Sequence, residues 1–229
     1  MARVSVTPLG AAAALLSRDL QMALRRPDDA LQPLLFAVIV AALFPFALGA
    51  DAARLAPIAG GVTWVVALLA LLIGLDSVYR GDEEDGSLDQ LLVSGQPLAL
   101  LCAARMLAHW LVVGLPLVLV TPLLGRMLGM PARTLMVALV SLALGTGVLV
   151  AIGHVCAALA VAAKRSVILV PLLVLPLAVP VLIFGAGAVQ ADLIGLSPAA
   201  PLLLLAAGLA LAIPLAPLAT AAALRLNAG

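Results

Sequence analysis

The sequence predicts an all-α polytopic membrane protein, with six transmembrane helices preceded by an amphipathic helix in the membrane interface. Three observations predict it. First, 65% of the 229 residues are apolar and 10% are charged, against roughly a quarter charged in an average soluble domain. Mean hydropathy is +1.28, and a water-soluble fold of this size could not hide that much apolar surface. Second, six uncharged runs each meet the length that a spanning helix needs. Third, those runs use up the chain. They leave a single transmembrane domain over 1–229 and no room for a soluble catalytic one. No catalytic residue is assigned, and the chain reads as non-enzymatic.

Residues 9–26 read as the interfacial helix. Leu9, Leu16, Leu20 and Leu24 fall on one face, and Arg18, Gln21 and Arg25 on the other. Pro27 ends it. Its leucines suit lipid and its arginines suit phosphates. A signal peptide fits less well, because Pro8 and Gly10 interrupt the apolar stretch and no convincing cleavage site follows.

The spans are expected at 30–50, 55–77, 98–125, 134–163, 166–188 and 200–224, with a cytoplasmic loop and helix at 78–97. The fourth and sixth uncharged runs exceed the need, and their surplus can tilt or re-enter. Pro171, Pro176, Pro180, Pro198, Pro201, Pro214 and Pro217 sit in the last two uncharged runs. Each frees a carbonyl that neighbours or water must satisfy, so kinked, bundle-packed helices are expected there. Gly145 and Gly147 permit close packing of the fourth span, a weak signal.

Arginine and lysine counts set the orientation. With the N-terminus inside, the inner segments hold Arg3, Arg18, Arg25, Arg26, Arg80, Arg105, Lys164, Arg165 and Arg225. The outer loops hold Arg54, Arg126 and Arg133. Both termini are therefore expected in the cytoplasm, with little protein protruding outward.

Several chemistries are excluded. The single lysine, Lys164, lies in Ala-Ala-Lys-Arg-Ser with no glycine-rich phosphate loop before it. If transport is ATP-driven, another chain must hydrolyse the ATP. Cys102 and Cys156 sit in apolar runs without metal or haem-attachment spacing, and no metal site is assigned. A net charge of +1 suggests no nucleic-acid partner.

One segment carries chemistry. It reads Asp82, Glu83, Glu84, Asp85, Gly86, Ser87, Leu88, Asp89, Gln90, Leu91, Leu92. Ser87 with Gln90 matches a capping box, so a short helix should start at Ser87. Asp89 falls in its first turn, where the helix dipole favours an anion. Leu88, Leu91 and Leu92 line one side. That apolar stripe either docks a partner protein or packs on the chain's own bundle.

The run Asp85-Gly86-Ser87-Leu88-Asp89-Gln90-Leu91-Leu92 resembles the coupling-helix signature of type-2 ABC exporter permeases. More closely, the chain resembles the CcmB family, from about residue 18 to the C-terminus. The supporting stretches are Leu43-Phe44-Pro45-Phe46, Trp64-Val65-Val66-Ala67-Leu68-Leu69, Ala108-His109-Trp110-Leu111-Val112-Val113-Gly114-Leu115-Pro116-Leu117 and Val174-Leu175-Pro176-Leu177. Asp89 stands where the family more often has Glu, which keeps the charge.

The resemblance implies a type-2 ABC exporter permease-like fold in the bacterial inner membrane, paired as a homodimer. It implies a CcmA-like ATPase docked on the inner loop, a CcmC-like haem-handling membrane protein and a CcmD-like single-span protein. It implies that ATP hydrolysis by the partner drives haem export, release of a haem-loaded periplasmic chaperone, or both, in c-type cytochrome biogenesis. Haem is then a cargo, and no cofactor is assigned to this chain. A permease for a lipid-linked sugar or drug keeps the fold but changes the cargo. An intramembrane haem-binding protein using His109 and His154 is a third reading.

Isolated polar residues complete the candidates. His109, Trp110 and Arg105 lie near the inner end of the third span, and His154 lies in the inner half of the fourth. Imidazoles can ligate haem iron, and ionisable groups within spans are functional candidates. The alternative for His109 and Trp110 is an interfacial anchor. The alternative for Arg105 is a side chain that snorkels to the headgroups rather than fixing the loop. Asp76 pairs with Arg80 if the helix continues between them.

Overall fold

A computed structural model describes residues 7–25, 27–75, 78–79, 81, 83, 86–161 and 166–227. Among the described residues the chain is all helix and turn, and six helices are long and apolar enough to cross a membrane. The predicted fold class is the one observed.

Helix α1 (Pro8–Arg25) precedes the first span, α2 (Pro27–Leu48), and the second, α3 (Ala52–Leu75). A short helix, α4 (Ser87–Val93), lies in the following loop. The third span is α5 (Leu98–His109), a π-helical turn (Trp110–Gly114) and α6 (Leu115–Met127). Helices α7 (Ala132–Ala160), α8 (Ser166–Leu193) and α9 (Ala199–Asn227) complete the bundle. Both α8 and α9 run through their prolines as single helices.

Helix α3 sits at the centre and α2 and α9 at the rim: 67% of the apolar membrane-length stretch of α3 is buried inside the protein, against 17% of that of α2 and 17% of that of α9. Helix α7 packs on both α8 and α9. The centre is close-packed because glycines admit one large ring. Trp64 is fully buried, and its Nε1–H donates to Ser141 Oγ at 3.2 Å. A methyl at Gly145 or Gly185 would overlap the indole, so both positions need glycine. Helices α3, α7 and α8 are locked together around that ring.

Helix α1 is amphipathic, but its buried stripe coincides only in part with the leucine face that periodicity suggests: Leu16 packs inward. Ala12 and Leu15 are buried against Leu101 and Ala104 of α5. Leu9 and Leu24 are exposed on the protein surface, where lipid would cover them. Asp19, one turn beyond Leu15, shares the inward stripe.

The π-turn has a local cause. Pro116 lacks the N–H that an α-helix would donate to Val112. The Leu115 N–H donates instead to Trp110 O, five residues back. The wider turn brings Trp110 over Gly114, where a Cβ would stand 2.6 Å from the indole Cδ1.

Candidate functional site

The charged loop and the nearby polar residues form one connected region at the bundle end that carries Asp19, Arg105 and α4. Of the acidic candidates, Asp82, Glu84 and Asp85 lie outside the described residues, as does the side chain of Asp89. Asp76, Arg80, Lys164 and Arg165 also lie outside them. Glu83 is exposed.

Helix α4 begins at Ser87, but its cap is Gly86 at φ +75°, with no side-chain hydrogen bond at the cap. The helix start is the one expected, and a left-handed residue turns the chain into it, a conformation that suits glycine. Leu88 is 7% exposed and belongs to the main core, with Leu92 packed on it. Leu91 packs with Ala12, Leu15, Leu101 and Ala104. Of the two uses open to the apolar stripe, packing on the chain's own bundle is the one observed. The outer face of α4 shows Gln90 and Val93, the latter 82% exposed.

Arg105 ties this region together. Its Nε lies 3.4 Å from Asp19 Oδ2. Its Nη2 donates to the Val78 carbonyl at 3.3 Å. Its guanidinium carbon stands 5.1 Å from the Tyr79 ring centroid. The side chain is 12% exposed, so it grips α1 and the loop and does not snorkel to the headgroups.

Tyr79 continues the chain of contacts inward. Its hydroxyl is hydrogen-bonded to His154 Nδ1 at 3.0 Å, and both residues are fully buried. The His154 and His109 rings are 5.3 Å apart and nearly perpendicular. Among the described residues, neither His109 Nε2 nor His154 Nε2 has a hydrogen-bond partner. Trp110 does: its Nε1–H donates to Thr146 Oγ1 at 3.0 Å, which makes it a tie between spans rather than only an interfacial ring.

A cavity of about 220 Å³ opens beside the two histidines. Asp19, Gln32, Gly74, Arg105, His109 and His154 line it together with aliphatic side chains. Among the described residues, no group of three or more His, Cys, Asp or Glu is placed to hold a metal ion.

Sequence reasoning named Arg105, His109, Trp110 and His154 but missed Asp19 and Tyr79 as their partners. Tyr79 is the only tyrosine of the chain, a signal that composition offered. Asp19 gave none, since helical periodicity does not say which neighbour a charged residue faces.

The fold and this region define a class, a polytopic all-α membrane protein whose polar groups converge where the loop after the second span meets the bundle. Residues 10–227 match the family described as CcmB protein, and the chain belongs to that family. It is 50% identical over 215 residues to the Heme exporter protein B of Pseudomonas aeruginosa, covering 94% of this chain and 96% of that one. It is 46% identical over 214 residues to the Heme exporter protein B of Rhodobacter capsulatus, covering 93% and 98%. It is 42% identical over 209 residues to that of Escherichia coli K12, covering 91% and 95%.

Proposed function

We propose that the chain is the permease subunit of an ATP-driven complex for c-type cytochrome biogenesis in the bacterial inner membrane. In this reading both termini are cytoplasmic, and a CcmA-like subunit hydrolyses the ATP. The complex contains a second copy of this chain and CcmC-like and CcmD-like partners. It exports haem, releases the haem-loaded chaperone on the outer side, or does both. The relatives named as haem exporters support the cargo. The positive-inside count supports the orientation.

The observation that carries the coupling is the tie between the loop and the bundle. Helix α4 is anchored by Leu88 and Leu91, and the segment before it by Arg105 and the Tyr79–His154 contact. A partner that moves α4 must therefore move α1, α5 and α7 as well. Such coupling needs two bundle arrangements whose balance the partner biases.

The exposed face of α4, with Glu83 before it, is the ATPase contact in this reading. The test is to tag the full chain, purify it gently from its own membranes and identify what accompanies it. An ATPase together with a haem-handling membrane protein is expected, and Val93→Asp should lose the ATPase while the chain still inserts. An ATPase without the haem-handling protein would move the cargo elsewhere. Recovery of the chain alone, or full ATPase capture by Val93→Asp, would overturn the assignment of the loop.

A further inference from the structure

Away from the histidines, a second cavity lies between α5, α7 and α9. Its volume of about 420 Å³ falls within the roughly 300–1,000 Å³ of sites that bury small ligands. It is a slot that runs along the helices. Its lining extends from Ala143 to Ala151 on α7 and from Leu209 to Pro217 on α9, each about 12 Å at 1.5 Å per residue. The floor is deep because Ala143, Gly147 and Ala151 follow one another at four-residue spacing on one face of α7. Leu107 and Ile213, both exposed, mark the side that opens to lipid. The lining side chains are apolar except Trp110, whose one polar atom is already bonded to Thr146. Apolar cavities stay dry, and an empty one leaves its walls without dispersion partners. The occupant is narrower than a helix. A helix about 10 Å across and about 12 Å long fills roughly 900 Å³, more than twice the slot.

A cation stands beyond the loop end of this slot. Arg225, in the last turn of α9, is exposed. It is close enough to α5 to act on Cys102, the neighbour of Ala103 in the slot wall. Among the described residues no carboxylate pairs with it. We propose that the slot between α5, α7 and α9 holds one acyl chain of a bound phospholipid, with its phosphate on Arg225. An acyl chain gains little by exchanging lipid for an apolar wall. Selection therefore comes from the guanidinium and the phosphate, a charge-assisted pair. The bound lipid is then a wedge that joins the rim helix α9 to α5 and α7. This inference is independent of what the chain transports.

The test titrates the full chain in detergent with phosphatidylglycerol carrying brominated acyl chains, which quench indole fluorescence on contact. Trp110 lines the slot and reports the chain, whereas Trp64 is fully buried at the bundle centre and supplies a constant background. Saturable one-to-one quenching is expected, reversed by the same lipid without bromine. Diacylglycerol with the same brominated chains lacks the phosphate and should bind about tenfold more weakly. Arg225→Gln should bring phosphatidylglycerol down to the diacylglycerol level. Ala143→Leu on the floor and Ala103→Leu on the wall fill the slot and keep Arg225. Each should remove the saturable quenching while the Trp64 emission persists. Quenching that rises without saturation, and equally in the wild type and all three variants, marks ordinary boundary lipid and would overturn the proposal. Loss of the quenching when the chain is purified with its partners would give the slot to a partner helix, and would overturn it too.

Discussion

Removing one oxygen tests the link between loop and bundle. Tyr79→Phe deletes the hydroxyl that meets His154 Nδ1 at 3.0 Å. It keeps the ring, and so keeps the edge-to-face contact with His154 at 5.5 Å and the Arg105 contact at 5.1 Å. Its effect therefore reports the hydroxyl and not the ring. A buried group left without its partner costs about 1–3 kcal/mol in soluble proteins. Hydrogen bonds inside membrane bundles are weaker, averaging about 0.6 and reaching about 1.7 kcal/mol. Tyr79 is 2% exposed and His154 0%, so no water compensates, and the upper part of the membrane range applies. The expected loss is about 1–1.5 kcal/mol. Unfolding by stepwise SDS addition, followed by the fluorescence of Trp64 and Trp110, measures it. If the bond exists in only one of two transport states, the same loss shifts their balance about tenfold. Coupled ATPase rate and cytochrome c maturation then fall together. Removing the whole ring, as in Tyr79→Ala, should cost about 3–5 kcal/mol and compromise the fold. Wild-type stability and wild-type maturation in Tyr79→Phe would refute the reasoning, since no contact of that kind could then join the loop to α7.

The remaining predictions separate packing from docking and buried from exposed charge. Leu91→Glu places a carboxylate among Ala12, Leu15, Leu101 and Ala104. It should free α1 and raise its protease sensitivity, while Val93→Asp, on the exposed face, should not. At the opposite end of the bundle, Thr134 Oγ1 donates to Asp192 Oδ2 at 2.7 Å, and the Asp192 side chain is 2% exposed. Thr134→Val should cost about 1–3 kcal/mol in the SDS assay. Arg133, 87% exposed although 3.2 Å from Asp192, should cost under about 1 kcal/mol when changed to Ala. The reverse order would show that the ion pair, not the hydroxyl, holds α7 to α8.

How much of this was legible in the sequence follows from what apolar spans encode. Length and composition locate a span because lipid demands a continuous apolar run. The same demand erases direction. A helix that is apolar all round carries no stripe to say which neighbour it meets. Thus Trp64 could be placed in the second span, but not between Gly145 and Gly185. His109 and His154 could be placed in the inner half of two spans, but not against each other. In α1 the periodicity was real, yet of the leucines it marked Leu9 and Leu24 are exposed and Leu16 packs inward, while Ala12, Leu15 and Asp19 gave no signal. The short helix α4 was legible because the Ser87–Gln90 pattern and the leucine spacing are local. Which side of it faces outward was not, since that depends on α1 and α5.

The packing of α4 also changes what the acidic, leucine-containing segment means. A coupling helix whose leucines gripped the ATPase could detach from its own bundle and would pass on motion only through the loop ends. Here Leu88 and Leu91 are held by the chain itself, and the exposed face is left to Glu83, Gln90 and Val93. Force applied to that polar face travels through an apolar joint that the membrane protein owns. In that reading it meets Tyr79 in the loop and Arg105 on α5, and through them the cavity beside His109. In the proposed reading the acidic residues set recognition of the partner, and the leucines set transmission. Charge reversal at Glu83 should weaken ATPase capture and make it salt-sensitive, whereas shortening Leu88 to Ala should leave capture intact and loosen the coupling of ATP hydrolysis to maturation. If both variants lost capture equally, recognition and transmission would not be separable along this helix.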